Sequence, residues 1–435
     1  MDAVTPRSSN VWHWAVGLAV ALLLGAGLRL LWVGDIEYKF DEQWTFEQTH
    51  DFGQTRTLPW FGMASSASMR NPGLSLWVFF ALGRLFGDDD PTCLARGVQV
   101  LGIAALGLLT AFALVCVPRG EREAWLWAAA LAAVNPLCVL VQRKIWPPSV
   151  LPVLTLLMLA GWWYRHRPAG AFVWGLLGAC LGQIHLPGFF FAAGFFLWSV
   201  LFERRRPSWS GWVLGSGLGA LLLVPWLHYM LTEHRDGFAG QQQWVRLVEF
   251  RFWVLWYEGP TGFGLDFPLG PEFAAFQRSP IVGGHATFLV AALEAVLAGI
   301  VFALFVRGGY WLWRHRGRLR ELLVGQEGPT AFALNAAFLA CGVLFTLSCL
   351  PLRRHYLIVA FPLPFIWLAR MALAKTNGPL MSPRIGRRLL IALCVTQFLV
   401  AASFLHYLHV HGGAPRGDYG VCYAAQPDPS ARKMP

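Results

Sequence analysis

Charge is what this sequence has least of. Asp, Glu, Lys and Arg together make up 14% of its 435 residues against 56% apolar side chains, and mean hydropathy is +0.48. A soluble domain carries about a quarter charged residues, so an ordinary water-soluble fold is excluded. Paired cysteines are missing too. The eight cysteines stand singly, none in a C-x-x-C spacing, and most fall inside apolar runs, where cysteine is a small core residue; this excludes a zinc ribbon or a disulfide scaffold. A cleavable leader is not expected either, because the first apolar run, Val11 to Val33, is too long for a signal-peptide core and no small-residue cleavage pattern follows it. Acids are outnumbered by bases, 24 to 35, and the position of that surplus gives its meaning.

What is present in quantity is apolar sequence in membrane-sized runs. Beyond the first run, others lie near 94–117, 123–141, 148–163, 171–186, 188–202, 209–230, 285–306, 330–350, 355–374 and 388–408. With the first they make about eleven spans at the roughly 20 residues a bilayer needs. The expected fold is therefore an all-α polytopic membrane protein. An odd number of spans puts the ends on opposite sides. Basic loops occur at every second connection, PRGERE after Val117, YRHR at 164–167, ERRR at 203–206, RGGYWLWRHRGRLR at 307–320 and PRIGRR at 383–388, which makes those loops and the N-terminus cytoplasmic and the C-terminus extracytoplasmic. Most of the net +11 then faces the cytoplasm, so the basic balance reports orientation and implies no nucleic-acid partner.

The same alternation decides one ambiguous segment. Asn71 to Gly87 reads as a helix with Asn71 as N-cap and Pro72 at its first position, but its apolar part is only about 13 residues. Counted as a span, it would place three basic loops outside. It is expected in the interface instead, as a juxtamembrane helix. The chain then divides into a transmembrane body over 1–410, with outer loops at 34–93 and 231–284, and a short outer tail over 411–435. The outer side collects the unusual residues: the acidic pair of FDEQWTFEQ (40–48), the turns QRKIWPPS (142–149), QIHLPG (183–188) and PLRRHY (351–356), and the tail HGGAPRGDYGVCYAAQ (411–426). Long aromatic-rich loops laid over a bundle suit a site at the membrane surface.

The order of these parts resembles the GT-C superfamily of integral-membrane glycosyltransferases. It shows a first span, an acidic pair in the first outer segment, an N-P-containing juxtamembrane helix ending in FG, and Arg96 in LARGVQVLG near the next span. It is similar in particular to the branch holding protein O-mannosyltransferases, the lipid A aminoarabinose transferase and Rgt-type sugar transferases, which the R-R-H-Y turn followed by Pro362 and Pro364 also resembles. The resemblance implies an enzyme of the cell inner membrane. It would move a hexosyl or pentosyl group from a polyprenyl-phosphate donor to a hydroxyl of a lipid, glycan or protein acceptor on the outer side, with inversion.

By that resemblance Asp41 is the general base, removing the acceptor proton as the oxygen attacks the anomeric carbon. The other reading of Asp41 is an N-cap for the helix that follows. Glu42 lies about 100° around the helix and is expected to face water or a neighbouring loop, at the edge of the substrate site. A carrier phosphate calls for fixed cations, and Arg353 and Arg354 stand at the outer end of a span, where the charge rule disfavours them; snorkelling to lipid head groups is their alternative role. His355 and Tyr356 would hydrogen-bond or stack on a sugar, and Arg70, Arg143, Lys144 and His185 complete the candidate substrate-binding set.

The sequence departs from the aminoarabinose branch where KIWPPS stands in place of an Asp-Pro turn, and where Arg70 and Asn71 replace Glu-Lys. The substrate and metal site of that branch therefore do not transfer. No cofactor is expected with certainty; a divalent metal would have Asp41, Glu42, His50 or His234 to hold it. A transporter or flippase of a lipid-linked sugar is the alternative function, weakened by the lack of an internal repeat and by having Glu294 as the one acid well inside a span.

Overall fold

In the computed structural model, residues 8–64, 70–232, 248–318, 321–322, 328–348, 352–375 and 382–427 are described. Proline sets the helix pattern. The apolar runs hold many prolines, and most of them sit at helix starts, where the missing N–H costs nothing. Asp90 caps α4 (Pro91–Val115) by accepting from the Thr92 amide at 2.6 Å. Asn135 ends α5 (Arg122–Val134) and caps α6 (Pro136–Val141), accepting from the Cys138 amide at 3.0 Å. A 3-10 turn over Pro147–Val150 leads into α7 (Leu151–Trp163), and Pro168 and Pro187 open α8 (Pro168–Ile184) and α9 (Pro187–Phe202).

This punctuation makes several apolar runs shorter than a bilayer. Among the described residues, four helices are long and apolar enough to cross alone: α4, Leu289–Arg314, Pro329–Leu347 and Pro383–His411. Two bent pairs also qualify when joined: Trp209–Leu221 with Val224–Thr232 at 56°, and Arg354–Ala360 with Leu363–Leu373 at 76°. The chain is a multi-pass helical membrane protein with four to six such spans. The other expected crossings fall on shorter helices, α1 (Ser8–Leu30) with its apolar part Ala15–Leu30 among them.

The loops sort into two ends. At one, Arg165 pairs with Glu203, Arg387 with Glu123 at 2.6 Å, and Arg307 donates to the Ala372 carbonyl at 2.9 Å; these are the basic loops. At the other, the 34–39, 142–149, 185–187 and 353–356 segments meet the tail. Among the described residues no ion pair joins the two ends. Glu294 lies on the long helix Leu289–Arg314 and accepts from Gln277 Nε2 at 2.8 Å, a bond to a neighbouring helix.

The segment after α1 forms α2 (Phe40–Thr55), a short antiparallel hairpin of β1 (Phe61–Ala64) and β2 (Arg70–Pro72), and α3 (Leu74–Phe86). The helix α3 therefore starts two residues later than the sequence suggested, at Leu74 rather than Pro72. Asn71 is taken up by the hairpin, its Nδ2 donating to the Met63 carbonyl at 3.1 Å, so it caps no helix. α3 lies on α2: Phe52 and Phe80 stack at 4.3 Å, and a Cβ added at Gly83 would come within 2.7 Å of Thr49 Cγ2. The tail docks. β3 (Gly413–Ala414) pairs with β4 (Gly420–Val421), and Tyr419 is buried in a small core with Phe276, Phe404 and Leu269.

Candidate active site

The segment that carries Asp41 is fixed from below by two buried arginines. Where α5 breaks before Pro136, the freed carbonyls of Ala132 and Ala133 accept from Arg29 at 3.1 and 2.6 Å, which ties α1 to the break. Arg143 donates to the carbonyls of Leu28, Arg29, Leu31 and Trp32 at 2.6 to 3.0 Å. It caps the end of α1, as a cation is favoured to do there. Arg143 is thus a support under the 34–39 segment, and it is not among the residues that line the cavity described next, although the sequence had placed it in the substrate-binding set.

A cavity of about 740 Å³ lies at the end of the bundle where the 37–42, 142–148, 185–187 and 353–358 segments come together. It holds Asp41 and Glu42 from the first turn of α2, Lys144 and Trp146 from the 142–149 turn, His185 from the α8–α9 turn, Arg353, Arg354, His355 and Tyr356, and Asp418 from the tail. Eight of the ten residues singled out in the sequence are brought together here. Arg70 is the other one left out: it is exposed and stacks on the Phe61 ring at 4.6 Å, while its neighbour Asn71 lines the cavity.

At one end of the cavity four carboxylates face two lysines. Lys144 Nζ lies 2.8 Å from Glu37 Oε2 and 3.3 Å from Glu42 Oε1, and Lys39 Nζ lies 2.9 Å from Glu37 Oε1 and 3.2 Å from Asp418 Oδ1. Glu42 is 1% exposed, so it turns inward rather than to water; burial, partly offset by Lys144, pushes its carboxyl up to about 7. Asp41 is different. Its carboxylate has no hydrogen bond or ion pair among the described residues, and Lys39 is the N-cap of α2, with no side-chain cap bond. Asp41 therefore sits in the first turn without capping it. Burial raises its pKa, with Lys144 and Lys39 pulling the other way, which makes it a stronger base than a free aspartate.

The other end carries the arginines. Arg354 is engaged, with Nη2 2.7 Å from Glu258 Oε1, Nη1 3.3 Å from Asp266 Oδ1 and a bond to the Gly264 carbonyl at 2.9 Å. Arg353 is exposed and forms no ion pair among the described residues. Arg251, at the start of α12 (Arg251–Thr261), also lines the cavity. Between the two ends stand aromatic rings. His355 packs edge-on to Trp146 at 4.6 Å and to Tyr356 at 4.7 Å, and His185 lies 5.3 Å from Tyr356. Among the described residues His185 Nε2 has no hydrogen-bond partner and is left to bond something in the cavity.

A metal finds little to hold it. Among the described residues no three His, Cys, Asp or Glu side chains converge as ligands, and His50 is used by the Asp88 carbonyl at 2.9 Å and by Gln54 at 3.0 Å. His234 lies outside the described residues. Sequence reasoning missed Glu37, Lys39, Arg251, Glu258 and Asp418. Glu37 and Lys39 alternate in charge just ahead of the acidic pair, a signal that was legible; Arg251 and Glu258 lie in a long loop whose helix the sequence did not mark.

No family model and no curated protein matches the sequence. Solved structures do match. ArnT from Cupriavidus metallidurans in the apo state aligns at 14% identity over 95% of this chain and 78% of that one, with a TM-score of 0.53. ArnT from the same organism bound to undecaprenyl phosphate aligns at 14% identity over 97% and 75%, at 0.41. The archaeal oligosaccharyltransferase AglB from Archaeoglobus fulgidus, in complex with an inhibitory peptide and a dolichol-phosphate, aligns at 12% identity over 99% of this chain and 61% of that one, at 0.46; the chain spans about three fifths of that relative. ArnT is an aminoarabinose transferase, and over nearly its whole length this chain has the fold of that GT-C membrane glycosyltransferase.

Proposed function

We propose that the protein is a glycosyltransferase that moves a sugar from a polyprenyl phosphate to an acceptor hydroxyl on the extracytoplasmic face. The observation that carries this reading is the pairing, in one cavity, of the Asp41 carboxylate with the Arg353 guanidinium, neither of which forms an ion pair among the described residues. Asp41 takes the proton of the acceptor hydroxyl while its oxygen attacks the anomeric carbon. The bond from that carbon to the phosphate oxygen breaks, and its electrons leave with the phosphate. Arg353, with Arg251 nearby, neutralises the charge that grows on the departing group, so no acid is needed there. A single displacement of this kind inverts the anomeric centre. The rings of His185 and His355, with Tyr356 and Trp146, form the wall on which a sugar would hydrogen-bond and stack.

The membrane placement belongs to the same reading. About eleven crossings, the basic loops and N-terminus in the cytoplasm, the tail outside and α3 in the outer interface give a cell inner-membrane enzyme whose cavity opens where a lipid head group sits. The fold likeness to ArnT supports a polyprenyl-phosphate carrier of the kind with which that protein has been seen, undecaprenyl phosphate. The test is incubation of the purified protein with a panel of hexosyl and pentosyl polyprenyl phosphates and mixed acceptors, with carrier phosphate release as the readout. Release from one donor that depends on Asp41 establishes the reading. Equilibration of a lipid-linked sugar across vesicles without phosphate release would instead establish transport.

A further inference from the structure

Glu37 stands at the centre of the charged end of the cavity, yet the chemistry above gives it no step. It is 2% exposed, and its two oxygens are divided between Lys144 at 2.8 Å and Lys39 at 2.9 Å. Its own backbone is held by the tail, through the antiparallel bridge from Glu37 to Cys422. The residues on either side are held the same way: the carbonyls of Asp35, Ile36 and Tyr38 accept from the Tyr419 hydroxyl at 2.5 Å, the Tyr423 amide at 3.0 Å and Gln426 Nε2 at 2.6 Å. Every residue from 35 to 38 is thus fixed by the tail, three residues ahead of Asp41.

We propose that Glu37 is a positioning residue for Asp41: anchored by the tail, it holds the Lys144 and Lys39 ammonium groups in the cavity wall and so sets the charge felt by the base. This rests on the transferase reading for its purpose, though not for its geometry. The charged groups around Asp41 are Glu37 and Lys39 from the preceding segment, Glu42 from its own helix, Lys144 from the 142–149 turn and Asp418 from the tail. With Glu37 in place, both lysines are shared with carboxylates. Without its charge, both act more fully on Asp41. Without Lys144, Glu37 and Glu42 face Asp41 less compensated.

Two charge-removing variants therefore move the base in opposite directions. The probe is pH-dependent labelling of Asp41 by a water-soluble carbodiimide and an amine, read by mass spectrometry, since the protonated carboxyl is the reactive form. Glu37→Gln is expected to lower the labelling midpoint, and Lys144→Gln to raise it, each by about one pH unit, the scale of one charge at close range in partly screened surroundings. The acid limb of the turnover profile shifts with them. Because the tail grips the backbone of residue 37, Glu37→Gln leaves that docking in place, and trypsin digestion of the tail in the same samples checks this. Unmoved midpoints in both variants, or shifts of the same sign, overturn the proposal. Labelling needs no turnover, so a protein inert to every donor refutes the transferase reading while the positioning of Asp41 is still decided.

Discussion

At the scale of single residues the site separates groups that are free to act from groups that are already bound. Asp41 stood out in the sequence because two acids at the lip of a first apolar run need a reason, and it lines the cavity with no ion pair among the described residues. Asp41→Asn is expected to leave folding and donor binding intact and to cut transfer by about 100-fold or more, the scale of a lost general base; single-turnover assays with saturating donor check it. Which of the two arginines is available was not legible, because adjacent positions look alike in sequence and Glu258 comes from a segment distant along the chain. Arg354 is held by that carboxylate, so Arg353→Ala should weaken binding of a polyprenyl phosphate by about ten- to a hundredfold. Arg353→Lys should recover part of this, and Arg354→Ala should act chiefly by releasing Glu258. Titration of the lipid in detergent separates the two. Glu42 gives a pH prediction. Its carboxyl ordinarily titrates near 4.5 and in the fold near 7, so the folded state binds more protons between those values and loses stability as pH rises through them. The apparent melting temperature should fall from pH 5 to pH 8, and Glu42→Gln should remove part of that fall.

At the scale of elements, the sequence marked helices well wherever apolar runs were long and missed what depends on distant partners. The hairpin of β1 and β2 has no alternating pattern to announce it, and the Asn71-Pro72 pair that reads as a helix start is drawn into it by the Met63 carbonyl. The tail looked turn-rich, and its glycines do form a turn: Gly413 and Gly420 take positive φ values of 116° and 73°, which other residues rarely adopt. What no local pattern reveals is that this turn lies against the 35–38 segment. The docking makes an element-level prediction. Tyr419→Ala, which empties a fully buried site and removes the bond to the Asp35 carbonyl, should raise hydrogen exchange at residues 35–42 without changing exchange in α4. It should lower turnover by at least tenfold. Retained protection at 35–42 would show that the segment stands without the tail.

For the molecule as a whole, composition and the spacing of basic loops carried the reading of a multi-pass helical protein, while the number of crossings was obscured by proline. A run such as 123–141 becomes two helices at Asn135–Pro136, and its break is filled by Arg29, a residue of another span. The orientation is testable: single cysteines placed at Arg119 and at Asp89, in a background cleared of accessible thiols, should react with a membrane-impermeant maleimide only from the inside and only from the outside, respectively. Reversed labelling would turn the topology over. The long return of the chain also bears on biosynthesis. Asp35 and Tyr419 are 384 residues apart in sequence, and at roughly 5 to 20 residues per second the later one leaves the ribosome on the order of 20 to 80 seconds after the earlier. The segment bearing Asp41 therefore waits, unlatched, until the last helix has been made, and a nascent chain stalled at residue 410 should hold the bundle without the finished cavity end.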